Sequence, residues 1–356
     1  MVFLFYSLSL QHIRIRNFRC LGDVSLDLDP NVNLFFGDNG SGKTSFLESI
    51  YFLGRGRSFR TRQARKLIKY GEKGFSIFSS IYKSRSDSSL GASFSEEGIR
   101  RQIDGNVKIK PLEMALFLPV YVLDPNSQFL IEGGPTTRRQ FLDLGVFHVE
   151  PDYLVYWKEY RRVLSQRNAA IKRKENFKIW NEAYIAAGEK VNQSRKKYIK
   201  GIINQIDKID EGLIKKKIGI SYHQGWDDNI SFEEAVDLSE KKDVMMGVSS
   251  LGPHRADLMI QLDSRNTKEV ISRGQQKLIT IGLVLAQVMS LPKEKQKYSL
   301  LLIDDLAAEL DIGTLERIFL LLETITSQIF ITGLSKHFLP IKNQKYPMFH
   351  MEQGII

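Results

Sequence analysis

Cysteine is almost absent from this 356-residue chain, in which Cys20 is the only one. A single cysteine excludes an intramolecular disulfide and a cysteine-based zinc site, and it is typical of proteins in a reducing cytosol. The six histidines are scattered, with no i,i+4 pair that would hold a metal on one helix face. We therefore expect a cytoplasmic protein without a structural zinc site.

Long apolar runs are also lacking. The opening MVFLFYSLSL is apolar, but it has no basic leader or A-x-A cleavage site and runs directly into the alternating IRIRNF segment. It reaches only about half the length needed to span a bilayer. We expect a soluble protein with no membrane contact, whose first residues begin a strand.

Positive charge, in contrast, is in excess, with 51 Lys and Arg against 41 Asp and Glu and a net charge of +10. Between Trp157 and Lys217 there are 17 basic and 7 acidic residues, so this segment alone accounts for the whole excess. Such an excess favours a polyanionic partner, either nucleic acid or acidic lipid, without distinguishing them, although a basic face can also serve solubility alone. The candidates for DNA contact within it are Lys172, Arg173, Lys174, Lys215, Lys216 and Lys217.

The pattern of apolar residues divides the chain into three segments. Residues 1–120 are β-rich with one early helix, and Phe75–Ile109 has the short alternating runs of an antiparallel meander. Residues 121–244 form a mainly helical, basic insertion. Strand-like sequence returns near Met245, and residues 245–356 follow an α/β pattern.

The strongest motif is GDNGSGKT, a complete GxxxxGK[ST] sequence. The apolar run Val32–Phe36 predicts a buried strand before it, and helical spacing predicts a helix from about Lys43. Glycines let backbone N–H groups turn inward around a phosphate chain, and the helix N-terminus attracts the anion. We expect Lys43 to reach the β- and γ-phosphates of ATP and Thr44 to ligate Mg²⁺. The predicted ATP-binding residues are Gly37, Asp38, Asn39, Gly40, Ser41, Gly42, Lys43 and Thr44.

A second motif lies near the other end of the chain, where the apolar run Leu300–Ile303 precedes Asp304 and Asp305. An acid at the end of a buried parallel strand reaches the Mg²⁺ of a P-loop, which assigns Asp304 to the metal. Asp305 is then placed to polarise the attacking water, and it forms the predicted catalytic pair with Lys43. About 260 residues separate Lys43 from Asp304, so the site must be assembled around an insertion.

The segment Ile271–Lys277, ISRGQQK, opens a helix and resembles the [LI]-S-x-G-Q signature of ABC ATPases. In that superfamily the signature covers the γ-phosphate of ATP bound to another subunit, which implies that Ser272, Gly274 and Gln275 act in trans. The alternative is an ordinary N-capped helix, with Ser272 or Gly274 as the cap.

Two further segments bear on the class of ATPase. Glu309–Asp311 resembles the D-loop of the ABC superfamily. The predicted strand Gln328–Thr332 puts Thr332 near the position of the switch histidine of transporter ATPases, and His337 lies five residues too late to replace it. The missing histidine argues against a transporter subunit.

Together with these motifs, four local sequences resemble the RecF family of bacterial recombination mediators, which is related to the heads of SMC proteins. They are NFR from Asn17, GRSFRT from Gly56, RRQFLD from Arg138 and GPHR from Gly252. The resemblance runs nearly end to end. The departures are Ala256 in place of the first acid after GPHR, a longer amino terminus and a lysine-rich middle segment.

This resemblance implies an α/β ABC-type ATPase head, with a mixed P-loop sheet, an antiparallel β subdomain and an inserted helical lobe. It also implies a weak, DNA-stimulated ATPase that binds duplex or gapped DNA or single-stranded junctions as an ATP-dependent homodimer. RecO and RecR would be its partners in promoting RecA loading. By the same resemblance, Arg19 and Arg57 contact phosphates and Gln128 belongs to a Q-loop.

Three other classes remain as alternatives. A transporter ATPase is disfavoured by the missing switch histidine and by the basic insertion. An SMC-type cohesion ATPase needs coiled-coil arms, but no heptad persists for three repeats. A nuclease or helicase would need a second carboxylate cluster or a helicase motif set, and neither is visible.

Overall fold

The computed structural model describes residues 9–83, 86–214, 216–263, 265–266, 272–307, 310–335 and 346–356. The predictions made for residues 1–8, Lys215, Ile271, Glu309 and His337 lie outside the described residues. The chain forms two compact units, one of Met1–Ser127 with Leu291–Ile356 and the other of Gln128–Ser290.

The first unit contains an antiparallel sheet in which buried and exposed side chains alternate. Its strands are β1 (Ser9–Phe18), β2 (Leu21–Asp27), β4 (Phe75–Lys83), β5 (Ser86–Ser95) and β6 (Gly98–Ile103), in the order β2-β1-β4-β5-β6. Residues Ile13, Ile15 and Phe18 of β1 are fully buried, and the polar residues between them face outward. The predicted antiparallel meander is confirmed by the pairing of β4 with β5 and of β5 with β6.

A parallel sheet in the same unit brings together strands from both ends of the chain. They are β3 (Val32–Phe36), β7 (Val120–Leu123), β11 (Leu300–Ile303), β12 (Gln328–Gly333) and β13 (Met348–His350), in the order β13-β3-β12-β11-β7. All four neighbouring pairs are parallel. Both neighbours of β3 therefore come from the carboxyl-terminal part of the chain.

Helix α1 (Lys43–Arg55) contacts strands of both sheets and has almost no exposed face. All ten residues 45–54 are buried, and Phe46, Leu47 and Ile50 have no exposed surface. Each such apolar side chain contributes about 1.5–3 kcal/mol when fully buried, so α1 is a main element of this core. The remaining helices of the unit are α2 (Pro111–Phe117), α9 (Lys293–Gln296) and α10 (Ile312–Leu322).

The second unit is mainly helical, as the sequence predicts for the insertion. Its helices are α3 (Phe129–Glu132), α4 (Pro135–Val149), α5 (Tyr153–Arg173), α6 (Asn181–Ile209), α7 (Phe232–Met246) and α8 (Arg273–Met289). A small antiparallel sheet, β10-β9-β8, is made of β8 (Ile218–His223), β9 (Asp257–Leu262) and β10 (Arg265–Asn266). Across the described part of the chain, every helix is too short or too polar to span a membrane.

The observed units differ from the predicted segments. Residues 245–290, which the sequence grouped with the carboxyl-terminal α/β segment, belong to the second unit. The reason is long-range pairing: β8 pairs with β9 over its whole length, from Ile218 opposite Leu262 to His223 opposite Asp257. The predicted strand near Met245 is wrong.

Met245 lies instead in the last turn of α7. Both ends of that helix are capped. The Ser231 hydroxyl and the Glu234 carboxylate form a capping box at its start, and Gly247 ends it in a left-handed conformation with φ 69°.

Two arginines of the basic segment are buried in the second unit instead of contributing to its surface charge. The Arg167 guanidinium has no exposed surface and donates to Asp243 at 2.7 Å. Arg195 is 3% exposed and lies 2.7 Å from the Asp143 carboxylate. Buried charges persist only when they are paired. The exposed positive charge is therefore smaller than the residue count suggests.

The GPHR segment forms a hydrogen-bonded corner of the second unit, in which Gly252 and Pro253 are buried. Gly252 has φ 128°, and a Cβ atom there would collide with the Tyr184 hydroxyl, so this position requires glycine. The Tyr160 hydroxyl lies 2.7 Å from His254 Nδ1, and His254 Nε2 lies 3.0 Å from the Ser249 carbonyl oxygen. A carbonyl only accepts, so Nε2 carries the proton and Nδ1 accepts from Tyr160. Burial lowers the pKa of His254 from 6.5 to about 4.

This corner predicts a loss of stability in acid. At pH values between about 4 and 6.5, His254 is protonated in the unfolded chain but stays neutral in the folded protein, because its pKa is lowered from 6.5 to about 4. The stabilisation is therefore fully present above the unfolded pKa and falls by up to about 3 kcal/mol as the pH drops through the folded one. Urea unfolding across this pH range measures it. His254→Gln should flatten the dependence, whereas the same substitution at the exposed His223 should not. An unchanged slope in His254→Gln would contradict this account.

Candidate nucleotide-binding site

The predicted P-loop connects β3 to α1, and its backbone requires glycine at both ends. Gly37 has φ 153° and Gly42 has φ 112°. A Cβ atom on Gly37 would collide with the carbonyl oxygen of Met351, and one on Gly42 would lie 3.2 Å from Cys20 Sγ. The chain can make this tight loop only without side chains at these two positions.

Lys43 lies at the start of α1, and its ammonium group folds over the loop. Its Nζ atom donates to the carbonyl oxygens of Gly37, at 2.6 Å, and Asp38, at 2.7 Å. Burial lowers the pKa of Lys43, while the charges of Asp304, Asp305 and Asp38 raise it. The ammonium is thus a partly desolvated cation within the loop, which strengthens its attraction for an anion.

Thr44 and Asp304 meet at the end of β11, as the sequence predicts. The Thr44 hydroxyl donates to Asp304 Oδ2 at 2.8 Å, and the Thr332 hydroxyl donates to Oδ1 at 2.8 Å. Asp304 is 8% exposed, and burial raises its pKa although both hydrogen bonds lower it. A bound cation would offset the cost of this buried charge.

Thr44 and Asp304 also fit the ligand preferences of Mg²⁺. That ion prefers hard oxygen ligands and is often held by one or two protein groups together with substrate phosphates. The described residues include no group of three or more His, Cys, Asp and Glu side chains able to hold a metal alone. These two oxygen donors therefore suit a metal shared with a nucleotide.

Asp305 differs from its neighbour in both backbone and surroundings. It has φ 52°, and its backbone N–H donates to the Thr332 hydroxyl at 2.8 Å. Its side chain is only half-buried and lines the same pocket as Lys43. The left-handed turn after β11 thus gives the two consecutive acids different environments.

One pocket collects these groups. Its lining residues are Cys20, Asn39, Gly40, Gly42, Lys43, Thr44, Ser45, Arg60, Asp304, Asp305 and Leu334. The structure therefore brings together the predicted motifs from the two ends of the chain. The pocket residues that were not predicted as nucleotide contacts are Cys20, Ser45, Arg60 and Leu334. The GRSFRT sequence indicated that an arginine lies near the P-loop, but it did not indicate which of Arg57 and Arg60 lines the pocket.

The two arginines predicted to contact phosphates do not line this pocket. Arg19 donates through Nε and Nη2 to both carboxylate oxygens of Glu48, each at 2.9 Å. Arg57 is exposed. The predicted Q-loop residue, Gln128, ends a 3₁₀ turn that starts at Pro125 and is the first residue of the second unit.

The signature segment has the geometry of an N-capped helix. Ser272 is the N-cap of α8; its hydroxyl accepts from the Gln275 N–H at 3.3 Å, and the Gln275 side chain accepts from the Ser272 N–H at 3.1 Å. Gly274 has no neighbour within 4 Å of a Cβ position. Asp311 likewise caps α10 through Thr314. The role of the signature in trans stays a prediction.

The candidates for DNA contact lie at two places in the second unit. Residues 172–174 end α5, with Lys174 in the left-handed conformation at φ 57°, and all three are exposed. Lys216 and Lys217 are also exposed, but Lys216 lies 3.7 Å from the Asp263 carboxylate. The end of α5 therefore offers the more available positive charge.

Comparisons with known proteins agree with this fold. The family model described as the RecF/RecN/SMC N terminal domain matches residues 9–356. The DNA replication and repair protein RecF of Pseudoalteromonas translucida (strain TAC 125) is 35% identical over 359 residues, which cover 98% of this chain and 99% of the relative.

Solved structures match at lower identity and bear on the fold alone. The recombination mediator protein RecF with ATP, from the RecFOR pathway, has a TM-score of 0.85 at 24% identity, covering 100% of this chain and 98% of that one. The Smc head domain of Pyrococcus yayanosii has a TM-score of 0.61 at 13% identity, covering 98% and 96%.

These likenesses confirm the predicted fold class, an α/β ABC-type ATPase head with an inserted helical lobe. One detail differs from the prediction: the described strands of the P-loop sheet are all parallel, and the antiparallel strands form a sheet of their own. With a family model that spans residues 9–356 and a relative 35% identical over nearly its full length, the chain belongs to the RecF family.

Proposed function

We propose that this protein is an ATP-dependent DNA-binding protein of recombinational repair and replication-fork maintenance. The observation that carries the proposal is the meeting of Lys43, Thr44 and Asp304 at the end of the parallel sheet. A P-loop lysine, its following hydroxyl and a strand-end carboxylate are the groups that hold ATP and Mg²⁺ in P-loop enzymes. The relatives named DNA replication and repair protein RecF support the biological setting.

In this proposal ATP works as a dimerisation switch. Lys43 binds the phosphates, Thr44 and Asp304 hold Mg²⁺, and Asp305 polarises the attacking water. Ser272, Gly274 and Gln275 of a second copy complete the site in trans, so that hydrolysis releases the dimer. Slow, DNA-stimulated hydrolysis suits a protein that holds DNA in place and does no motor work.

The polyanionic partner in this proposal is duplex, gapped or junction DNA, bound along the basic second unit. The exposed cations at residues 172–174 support this choice. The solved relative is described as a mediator of the RecFOR pathway, and we accordingly propose RecO and RecR as partners in promoting RecA loading.

Removing the P-loop charge tests nucleotide binding. Lys43→Ala should weaken ATP–Mg²⁺ affinity about 10- to 100-fold, because a charged hydrogen bond contributes about 1.5–3 kcal/mol. Calorimetric titration with ATP measures the change. Lys73→Ala, at an exposed lysine of the same unit that does not line the pocket, serves as the control. Equal ATP affinity in Lys43→Ala and the parent would exclude the assignment.

Asp304 and Asp305, the two acids that follow β11, should have different functions. Asp305→Asn should keep ATP–Mg²⁺ affinity but slow hydrolysis about 10²- to 10⁴-fold, the usual contribution of a general base. Asp304→Asn should instead lower ATP affinity in Mg²⁺ and leave the weaker affinity in EDTA unchanged. Titrations in both conditions, with single-turnover hydrolysis, measure this. Identical ATP affinities for the two variants would show that their roles are divided wrongly.

The basic end of α5 should determine part of the salt dependence of DNA binding. Each phosphate contact adds about 0.9 to the slope of log affinity against log salt, so replacing residues 172–174 by glutamine should reduce the slope by about 2 to 3. ATP affinity should not change.

A triple glutamine variant of Arg162, Lys178 and Lys197 removes the same charge and is the matched control. Each of these cations already pairs with a carboxylate, on Glu159, Glu240 and Glu150 respectively. If both triple variants change the slope equally, the effect comes from net charge and the α5 contact is refuted.

A further inference from the structure

Strand β13 extends the parallel sheet beside β3, and the residue that follows it contacts the P-loop. His350 pairs with Phe36, the last residue of β3, and the N–H of Met351 donates to the Phe36 carbonyl oxygen at 2.8 Å. Met351 has no exposed surface, and its own carbonyl oxygen occupies the space that a Cβ atom on Gly37 would need. The backbone after β13 therefore packs directly against the first residue of the P-loop.

Residues 352–355 then form a tight turn, called here the β13 turn. Glu352 and Ile355 exchange two backbone hydrogen bonds, each of 2.9 Å. Between them, Gln353 has φ 49° and Gly354 has φ 82°. Positive φ at both central positions is characteristic of a type I′ turn, which favours glycine. Gly354 is buried and the other three residues are exposed, so the turn presents its glycine to the protein.

Gly354 joins the β13 turn to the P-loop through its backbone. Its N–H donates to the Ser41 carbonyl oxygen at 2.8 Å, and its Cα atom lies 3.5 Å from the Cβ position of Gly42. A Cβ atom on Gly354 itself would come within 2.4 Å of the Cys20 carbonyl oxygen. A side chain does not fit at this position, because the P-loop and the connection from β1 to β2 both touch the glycine.

The hydrogen bond to Ser41 fixes one peptide group of the P-loop. No described peptide bond is cis, and in a trans peptide the C=O and the following N–H point in opposite directions. With the Ser41 carbonyl held by Gly354, the N–H of Gly42 is directed away from the β13 turn, and Gly42 lines the nucleotide pocket. Peptides beside glycine rotate easily. The bond therefore keeps this N–H available to a phosphate, which such loops bind through their backbone N–H groups.

We propose that Gly354 is a positioning residue of the nucleotide site, and that the β13 turn holds the Ser41–Gly42 peptide in the orientation that binds phosphate. The inference rests on the proposed function. Gly354 does not line the pocket, so it acts only through the loop. A segment far from the P-loop in the sequence thus contributes to nucleotide affinity.

The test is a calorimetric titration of the whole protein with ATP–Mg²⁺. Gly354→Ala should weaken binding about 3- to 10-fold, the usual strength of one neutral hydrogen bond. The reason is that its Cβ atom collides with Cys20, so the turn must move away from Ser41. The same titration with tripolyphosphate should show the same loss, because the turn acts on a phosphate contact.

A second type I′ turn of the same unit provides the matched control. Ile103 and Asn106 exchange two backbone hydrogen bonds, and Asp104 and Gly105 between them have φ 48° and 79°. Among the described residues, Gly105 has no neighbour within 4 Å of its Cβ position. Gly105→Ala therefore adds the same backbone strain without a collision, and its ATP affinity should stay within about twofold of the parent.

A second pair of variants tests the turn even if Gly354→Ala fails to fold. The side chain of Ile355 is exposed, and its N–H donates to the Glu352 carbonyl oxygen. Ile355→Pro lacks that N–H and opens the turn from its exposed side, so ATP binding should again weaken about 3- to 10-fold. Ile355→Ala keeps the N–H and should match the parent.

Parental affinity in Ile355→Pro and in folded Gly354→Ala would overturn the inference. An equal loss in Gly105→Ala, or a loss for ATP without one for tripolyphosphate, would overturn it as well. Lys43→Ala, measured beside them, shows which idea has failed. If only Lys43→Ala loses affinity, the proposed function stands without the turn, whereas parental affinity in Lys43→Ala rejects the nucleotide site itself.

Discussion

The hydrogen bond between Thr44 and Asp304 joins residues that are 260 positions apart. It forms only in a fold that brings the two ends of the chain into one sheet, and the first unit has this architecture. The P-loop strand β3 has β12 and β13 as its neighbours, so it enters the sheet only when the carboxyl-terminal segment is present. The inserted residues leave after β7 and return before β11, which are adjacent strands. An insertion that begins and ends at neighbouring strands can be large without separating the two halves of the site.

Buried charge is the second constraint, and in both units the buried charged side chains are paired or hydrogen-bonded. Glu48 and Asp304 are enclosed near α1, and each is held by hydroxyl donors or by arginine. Arg167 in the other unit is fully enclosed and pairs with Asp243. Such groups add little net stability compared with apolar residues of the same shape, but removing one partner is costly. They are suited to fixing the position of a neighbouring side chain, as Asp304 does for Thr44.

Local spacing was enough to predict the elements that carry the motifs. The alternation in β1, the loop before Lys43 and the acids after β11 are all set within a few residues, and the structure has them where expected. Features that depend on distant contacts were not predictable. The pairing of β8 with β9 places residues 245–290 in the second unit, contrary to the predicted segments. The burial of Arg167 makes the exposed positive charge smaller than the count of basic residues suggests.

Thr332, near the end of β12, contacts both of the acids that follow β11. Its hydroxyl accepts from the Asp305 N–H and donates to the Asp304 carboxylate, so one small side chain orients both acids. A hydroxyl can donate one hydrogen bond, and here Thr332 donates it to Asp304. Thr332 therefore has neither a spare donor nor a positive charge to offer a phosphate. Among the residues that line the pocket, the cationic side chains are those of Lys43 and Arg60, so the positive charge available there to a phosphate is theirs.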